Sequence, residues 1–194
     1  MLPSELTPEI VLYAYGQGCF PMPDEKSGNI NWYRPDPRAI IPLDGFHVGR
    51  TLRRTLKKKN FVIRTDTCFE RVMRACAARE ETWITDDFIR IYSALHAFGF
   101  AHSLEVFRES DLVGGVYGVT LGGAFFAESM FHSDSDMSKV ALFHLVEHLR
   151  QRQFVLLECQ FLTPHLASLG AIEVTDQNYM NQLNTALQLL DVSF

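Results

Sequence analysis

Residues 101–131 read AHSLEVFRESDLVGGVYGVTLGGAFFAESMF, and the spacing of apolar positions in this stretch decides the fold. Ala101–Arg108 alternates between apolar and polar, Leu112–Leu121 is rich in Val and Gly, and Ala124–Phe131 is dominated by apolar and aromatic residues. Side chains of a strand point to alternate faces, so these are three strands. Only Ser110-Asp111 and Gly122-Gly123 separate them, which predicts an antiparallel meander closed by tight turns. Downstream the period becomes helical. Leu142, Leu145, Val146 and Leu149 form one stripe within Ser138–Gln151, and Phe154–Phe161 then reads as a buried strand. Pro164–Leu169 and Gln177–Leu190 are predicted helices, with Gly170 as a stop between them.

Upstream of the meander, Phe61–Arg64 suits a strand, and Phe69, Val72, Met73 and Cys76 predict an amphipathic helix over 67–78. A further helix starts at Thr85 or Asp86, turns Phe88, Ile91, Tyr92 and Leu95 inward and stops near Gly99. At the other end of the chain, Ser4–Tyr15 is a predicted helix, with Thr7 as its cap, Pro8 in its first turn, and Gly16 and Gly18 closing it. Residues 21–37 hold Pro21, Pro23, Pro35 and Pro37 together with Asp24, Gly28 and Asn29, a loop-rich composition that places a boundary there. The expectation is a small N-terminal lobe over 1–36 and a main domain over 37–194. Three meander strands, a helix and a strand, preceded by a strand and two helices, predict an α+β fold with a central, mostly antiparallel sheet. That order matches the acetyltransferase-like (GNAT) arrangement.

The 194 residues, 47% hydrophobic and 21% charged, suit one ordinary domain or a domain with a small lobe, and exclude a disordered or collagen-like chain. No apolar run approaches the roughly 20 residues that cross a bilayer. Met1–Ser4 leads into Glu5 and Glu9, not into a signal core, so a soluble, cytoplasmic protein with no membrane partner is expected. Cys19, Cys68, Cys76 and Cys159 form no CxxC pair, which reads as reduced thiols without a zinc ribbon or disulfide framework. Net charge is -5, yet Arg50, Arg53, Arg54, Lys57, Lys58, Lys59 and Arg64 crowd into 15 positions with no acid among them. Leu52 and Leu56, four apart, give Gly49–Lys59 helical character with cations on the remaining faces. Such a face is either simply solvated or a phosphate-binding surface.

Several residues could carry chemistry. His144, Glu147 and His148 match the H-x-x-E-H pattern of inverted zinc peptidases, but the apolar stripe leaves them on the solvated side of their helix, so no metal is expected. Glu158 and Gln160, two apart in a strand, should emerge on one face and place a carboxylate beside an amide. That pair could orient an amine, or it could be a polar strand face. Glu128 lies among aromatic and thioether side chains and is either a ligand-recognising acid or a buried structural one. Gly114, Gly115 and Gly118 do not open a helix, which disfavours a dinucleotide loop. Trp32, Trp83 and Tyr92 are candidate base-stacking surfaces or ordinary core residues.

Taken together, the chain resembles the bacterial leucyl/phenylalanyl-tRNA–protein transferases. The likeness rests on Tyr15 with Gly18-Cys19-Phe20-Pro21, Trp32 with Pro35-Asp36-Pro37-Arg38-Ala39, Thr82-Trp83-Ile84-Thr85, His102-Ser103-Leu104-Glu105, Leu112 through Val119, Glu128-Ser129-Met130-Phe131, Ser138-Lys139, Cys159-Gln160, and His165 through Ala171. It implies an enzyme that moves Leu, Phe or Met from aminoacyl-tRNA to the N-terminal Arg or Lys of an acceptor protein or peptide, marking it for degradation, with no coenzyme or metal. It also implies Glu158 and Gln160 as the amine-activating pair, although the family commonly has Asp at the position of Glu158. The aminoacyl pocket implied is Val116, Met130, Leu145, Leu149 and Leu157. Tyr15, Trp83, Tyr92, Glu128 and Ser129 would lie at the tRNA 3′ end, where Met22 replaces a family tryptophan. Arg50, Arg53, Arg54, Lys57, Lys58 and Lys59 would hold tRNA phosphates. Two alternatives remain open: a coenzyme A-dependent acetyltransferase of the same fold, disfavoured because 131–139 is acidic and lacks a glycine-rich loop, and a non-catalytic aminoacyl-tRNA-binding protein.

Overall fold

The computed structural model describes residues 6–24, 29–79 and 82–194. The first two positions of the expected N-terminal helix, Ser4 and Glu5, and the turn residue Gly28 lie outside them. α1 (Pro8–Gly16) starts as its sequence dictates: Thr7 Oγ1 accepts from the Ile10 N–H, Pro8 needs no donor in the first turn, and Gly18 takes φ +75° just beyond the end.

Within 21–37, expected to be loop-rich, the structure instead pairs β1 (Phe20–Pro23) antiparallel with β2 (Ile30–Tyr33). Pro21 and Pro23 are compatible with it because a two-stranded ribbon has two edges, where a missing N–H costs no ladder bond. The short strand β3 (Arg38–Ile40) is likewise hidden in the proline-rich stretch. Then follow α2 (Arg50–Lys58), β4 (Val62–Thr65), α3 (Phe69–Ala77) and α4 (Asp86–Ala97), the last capped by Thr85 as expected. The meander is β5 (Ala101–Arg108), β6 (Asp111–Leu121) and β7 (Ala124–His132). After it come α5 (Met137–Gln151), β8 (Leu156–Glu158), α6 (Pro164–Ala167), the unexpected β9 (Ile172–Val174) and α7 (Asp176–Leu187).

Among the described residues seven strands form one sheet in the order β4-β5-β6-β7-β8-β3-β9, antiparallel except where α5 carries the chain across to lay β8 parallel to β7. The fold is therefore mixed α+β on a large, mainly antiparallel sheet. Alternation along the strands gives each face its own core. Phe126 joins Phe88, Tyr92 and Met73 beneath α1, α3 and α4, while Phe125 joins Leu145, Leu149 and Leu104 beneath α5. All four cysteines are free. Among the described residues no helix is long and apolar enough to cross a membrane.

Candidate functional site

The parallel pair β7–β8 is short. Its last partners are Phe126 and Glu158, after which β8 ends while β7 continues to His132. Beyond that point the two chains part, and the gap between them is a cavity of about 310 Å³. Ala127–Met130 of β7 form one wall, and Cys159, Gln160 and Leu166 another. Val116, Ile41 and Leu142 supply more apolar lining.

Glu128 enters this cavity because the ladder is irregular there. Tyr117 pairs with Ser129 and Gly118 with Ala127, so Glu128 is the extra residue of a β-bulge, a feature that re-aims a side chain. Gly118 opposite the bulge allows the close approach, since a Cβ there would stand 2.2 Å from the Phe126 carbonyl oxygen. The Glu128 carboxyl is almost wholly buried. Its Oε1 accepts from Tyr15 Oη and, at 3.1 Å, from Gln160 Nε2, and Tyr15 Oη lies 2.8 Å from Tyr92 Oη. Its Oε2 has no hydrogen-bond partner among the described residues. Burial, reinforced by the charge of Glu158 and only partly offset by Tyr15, Gln160 and Arg38, pushes the acid up to about 8.

Glu158 is arranged differently. Burial raises it too, but Arg38 Nη1 sits 3.0 Å from its Oε1 and pulls back toward the charged form. The same oxygen accepts from the Gln160 backbone N–H at 2.5 Å. Arg38, 1% exposed, also donates to the Gly18 carbonyl and lies over the rings of Phe20 and Tyr179. Of the two buried carboxyls, Glu158 is bonded to the guanidinium and Glu128 is not, and the one beside the arginine ionises more readily.

This corrects the sequence expectation for the Glu158 and Gln160 pair. The strand stops at Glu158, Gln160 takes φ +63°, and the two side chains do not stand together on one strand face. The Gln160 amide reaches across to Glu128, and Glu158 touches Gln160 through its backbone. The expected aminoacyl pocket divides as well. Val116 and Met130 line the cavity, but Leu145, Leu149 and Leu157, at 0%, 0% and 1% exposure, are core residues that do not line it. Periodicity identifies the apolar face of α5, of which only Leu142 reaches the cavity. Leu166 and Ile41 carry no sequence signal that would place them there.

Of the residues expected at a nucleic-acid 3′ end, Tyr15 and Tyr92 are buried and offer no ring face for stacking. Trp83 is half-buried and packs edge-on against Phe88. Ser129 lines the cavity and accepts from Arg79 Nη2 at 2.8 Å. Arg50, Arg53, Arg54, Lys57, Lys58 and Lys59 are all exposed on or just after α2, which Leu52 anchors to the core. His144, Glu147 and His148, expected in solvent, are half-buried, with His144 against Phe61 and His148 against Phe194. At the start of α5, Asp136 accepts from Lys139 at 2.9 Å and Asp134 pairs with Arg108.

The family described as "Leucyl/phenylalanyl-tRNA protein transferase" matches residues 40–184, and that described as its N-terminal domain matches residues 4–36. The chain is 53% identical to a protein of Herpetosiphon aurantiacus, covering 94% of this chain and 95% of that one. It is 51% identical to one of Akkermansia muciniphila, covering 94% and 97%, and 47% identical to one of Salinibacter ruber, covering 99% and 84%. Each of these relatives is named leucyl/phenylalanyl-tRNA–protein transferase.

Proposed function

The chain belongs to the leucyl/phenylalanyl-tRNA–protein transferase family, and from that premise we propose how its cavity works. The protein is an aminoacyl-tRNA–protein transferase that moves Leu or Phe, and by the same pocket Met, onto the N-terminal Arg or Lys of an acceptor, in the cytoplasm and as a degradation mark. The observation that carries this reading is an apolar cavity whose polar end is a carboxyl and an amide joined by a hydrogen bond. Val116, Met130, Leu142 and Leu166 take the amino-acid side chain. Flexible Met and Leu accommodate both a branched and an aromatic group, while a β-branched side chain fits poorly.

The ester of aminoacyl-tRNA is already activated, so the protein's work is to align an amine with its carbonyl and to accept a proton as the tetrahedral state forms. Gln160 orients the amine. Glu128, the carboxyl that lines the cavity, takes the amine's proton when ionised, and as the acyl carbon–oxygen bond breaks the proton passes to the departing 3′ oxygen of the tRNA. Glu158 acts one step removed, holding the Gln160 backbone with Arg38 as counter-ion. Its arm is one methylene longer than the family's usual Asp, and that length serves its reach to the Gln160 N–H. Leu145, Leu149 and Leu157 support the wall from behind, and Ser129 and Trp83 lie toward the 3′ end. The exposed cations of α2 hold tRNA phosphates without sequence preference. We also assign 1–36 as the N-terminal lobe and 37–194 as an acetyltransferase-like catalytic domain, which the helix crossover between the parallel strands β7 and β8 supports.

The experiment is transfer from labelled leucyl-tRNA and phenylalanyl-tRNA to an Arg-starting and an Ala-starting peptide. Label should appear on the Arg-starting peptide from both tRNAs. Transfer to neither peptide would remove the catalytic reading, and equal transfer to both would remove the acceptor assignment.

A further inference from the structure

Arg79 lies on the wall of the same cavity, beside Ser129, yet the transfer steps leave it without a role. Its side chain is exposed but not loose. Nε donates to the Cys76 carbonyl and Nη2 to Ser129 Oγ, both at 2.8 Å, which fixes the plane of the guanidinium. Among the described residues these bonds engage two of the five N–H donors of a rigid fork, and the remaining edge suits a planar anion. Glu128 does not take this cation, since its own partners are Tyr15 and Gln160.

Size decides what reaches the free edge. A cavity of about 310 Å³ is at the lower end of the roughly 300–1,000 Å³ seen for small-molecule sites, enough for an aminoacyl group but not for the ribose, base and phosphate as well. Those parts must cross the rim. The nearest anion they carry is the phosphodiester on the 5′ side of the terminal ribose, and guanidinium–phosphate pairing is the strong, fork-shaped contact for such a group.

We infer that Arg79 binds the 5′-phosphate of the terminal nucleotide of aminoacyl-tRNA and so anchors the ester over the cavity mouth. The inference rests on the transferase reading given above. Binding of two unreactive ligands, 3′-leucylamido-3′-deoxyadenosine and its 5′-methylphosphate diester, tests it by calorimetry. In the wild type the phosphate tightens binding at least about tenfold, equivalent to ~1.4 kcal/mol. In Arg79→Ala that ratio falls to near one while the affinity for the unphosphorylated ligand stays within about twofold, and Arg79→Lys, a point charge without the fork, gives an intermediate ratio. An unchanged ratio in Arg79→Ala overturns the inference. So does an equal loss for both ligands, which would place Arg79 on the aminoacyl group. Failure of the wild type to bind either ligand overturns the aminoacyl cavity and the anchor together. Transfer from leucyl-tRNA by the wild type, measured alongside, separates the two readings: activity with an unresponsive ratio removes only the anchor.

Discussion

Replacing Glu128 by Gln should stabilise the protein at alkaline pH and leave its stability nearly unchanged in acid. Burial and the charge of Glu158 raise the Glu128 carboxyl from 4.5 to about 8, so between those values the folded chain holds a proton that the unfolded chain has released. Stability therefore falls as pH rises through that interval. Each unit of displacement corresponds to about 1.4 kcal/mol, which puts the wild-type loss at up to ~4 kcal/mol by pH 8. Gln is the near-isostere of the protonated acid. Its carbonyl can accept from Tyr15 and Gln160 as Oε1 does, and it never ionises. Urea denaturation of both proteins at pH 5, 6, 7 and 8 is the assay. The curves should nearly coincide at pH 5 and separate progressively, and at about 2–4 °C per kcal/mol for a chain of this length the melting temperatures at pH 8 should differ by roughly 10 °C. Parallel pH dependences would refute the protonated, buried state of Glu128. The same variant should transfer leucine slowly, because the group that accepts a proton is gone.

Three further outcomes follow from particular features of the structure. Gly118→Ala should cost about 1–3 kcal/mol by urea titration, since the new Cβ meets the Phe126 backbone carbonyl, whereas Gly16→Ala, with its nearest neighbour atom at 3.6 Å, should be neutral or slightly stabilising. Equal effects would show that the bulge is not tightly packed. Neutralising Arg53, Arg54, Lys57 and Lys58 together should weaken tRNA binding and flatten its dependence on log salt by about 0.7–0.9 for each phosphate no longer neutralised, and an unchanged slope would move the phosphate site elsewhere. Gln160→Ala and Glu158→Ala should each slow transfer at least tenfold, a change of ~1.4 kcal/mol, with charged-tRNA affinity little altered, and normal rates would contradict their assignment.

The long regular elements are legible because each carries its own local signals. Thr7 and Thr85 cap the helices they begin, two short turns force the meander, and the stripe from Leu142 to Leu149 marks the buried face of α5. What escapes depends on partners far away in the chain. β3 and β9 are three residues each and exist by pairing with one another, too short for any period to appear. Pro21 and Pro23 read as loop because nothing local announces a ribbon in which both strands are edges. The bulge at Glu128 is a property of two strands together, and the left-handed turn at Gln160 ends a strand that its apolar residues would have extended to Phe161. Arg38 shares the buried end of the site with a carboxylate 120 positions away, so neither residue alone betrays the pair. Periodicity also tells which face of α5 is buried and not how deeply; the resemblance is what implies Leu145 and Leu149 as pocket residues, and of that stripe only Leu142 lines the cavity.

The most direct measurement is a crystal structure with 3′-leucylamido-3′-deoxyadenosine bound. The leucyl side chain should rest within roughly 4 Å of Met130, Leu142 and Leu166, with its carbonyl end facing the Gln160 amide and the Glu128 carboxyl. A ligand whose leucyl group sits anywhere else, or a cavity that stays closed to it while the nucleoside binds, would contradict the account.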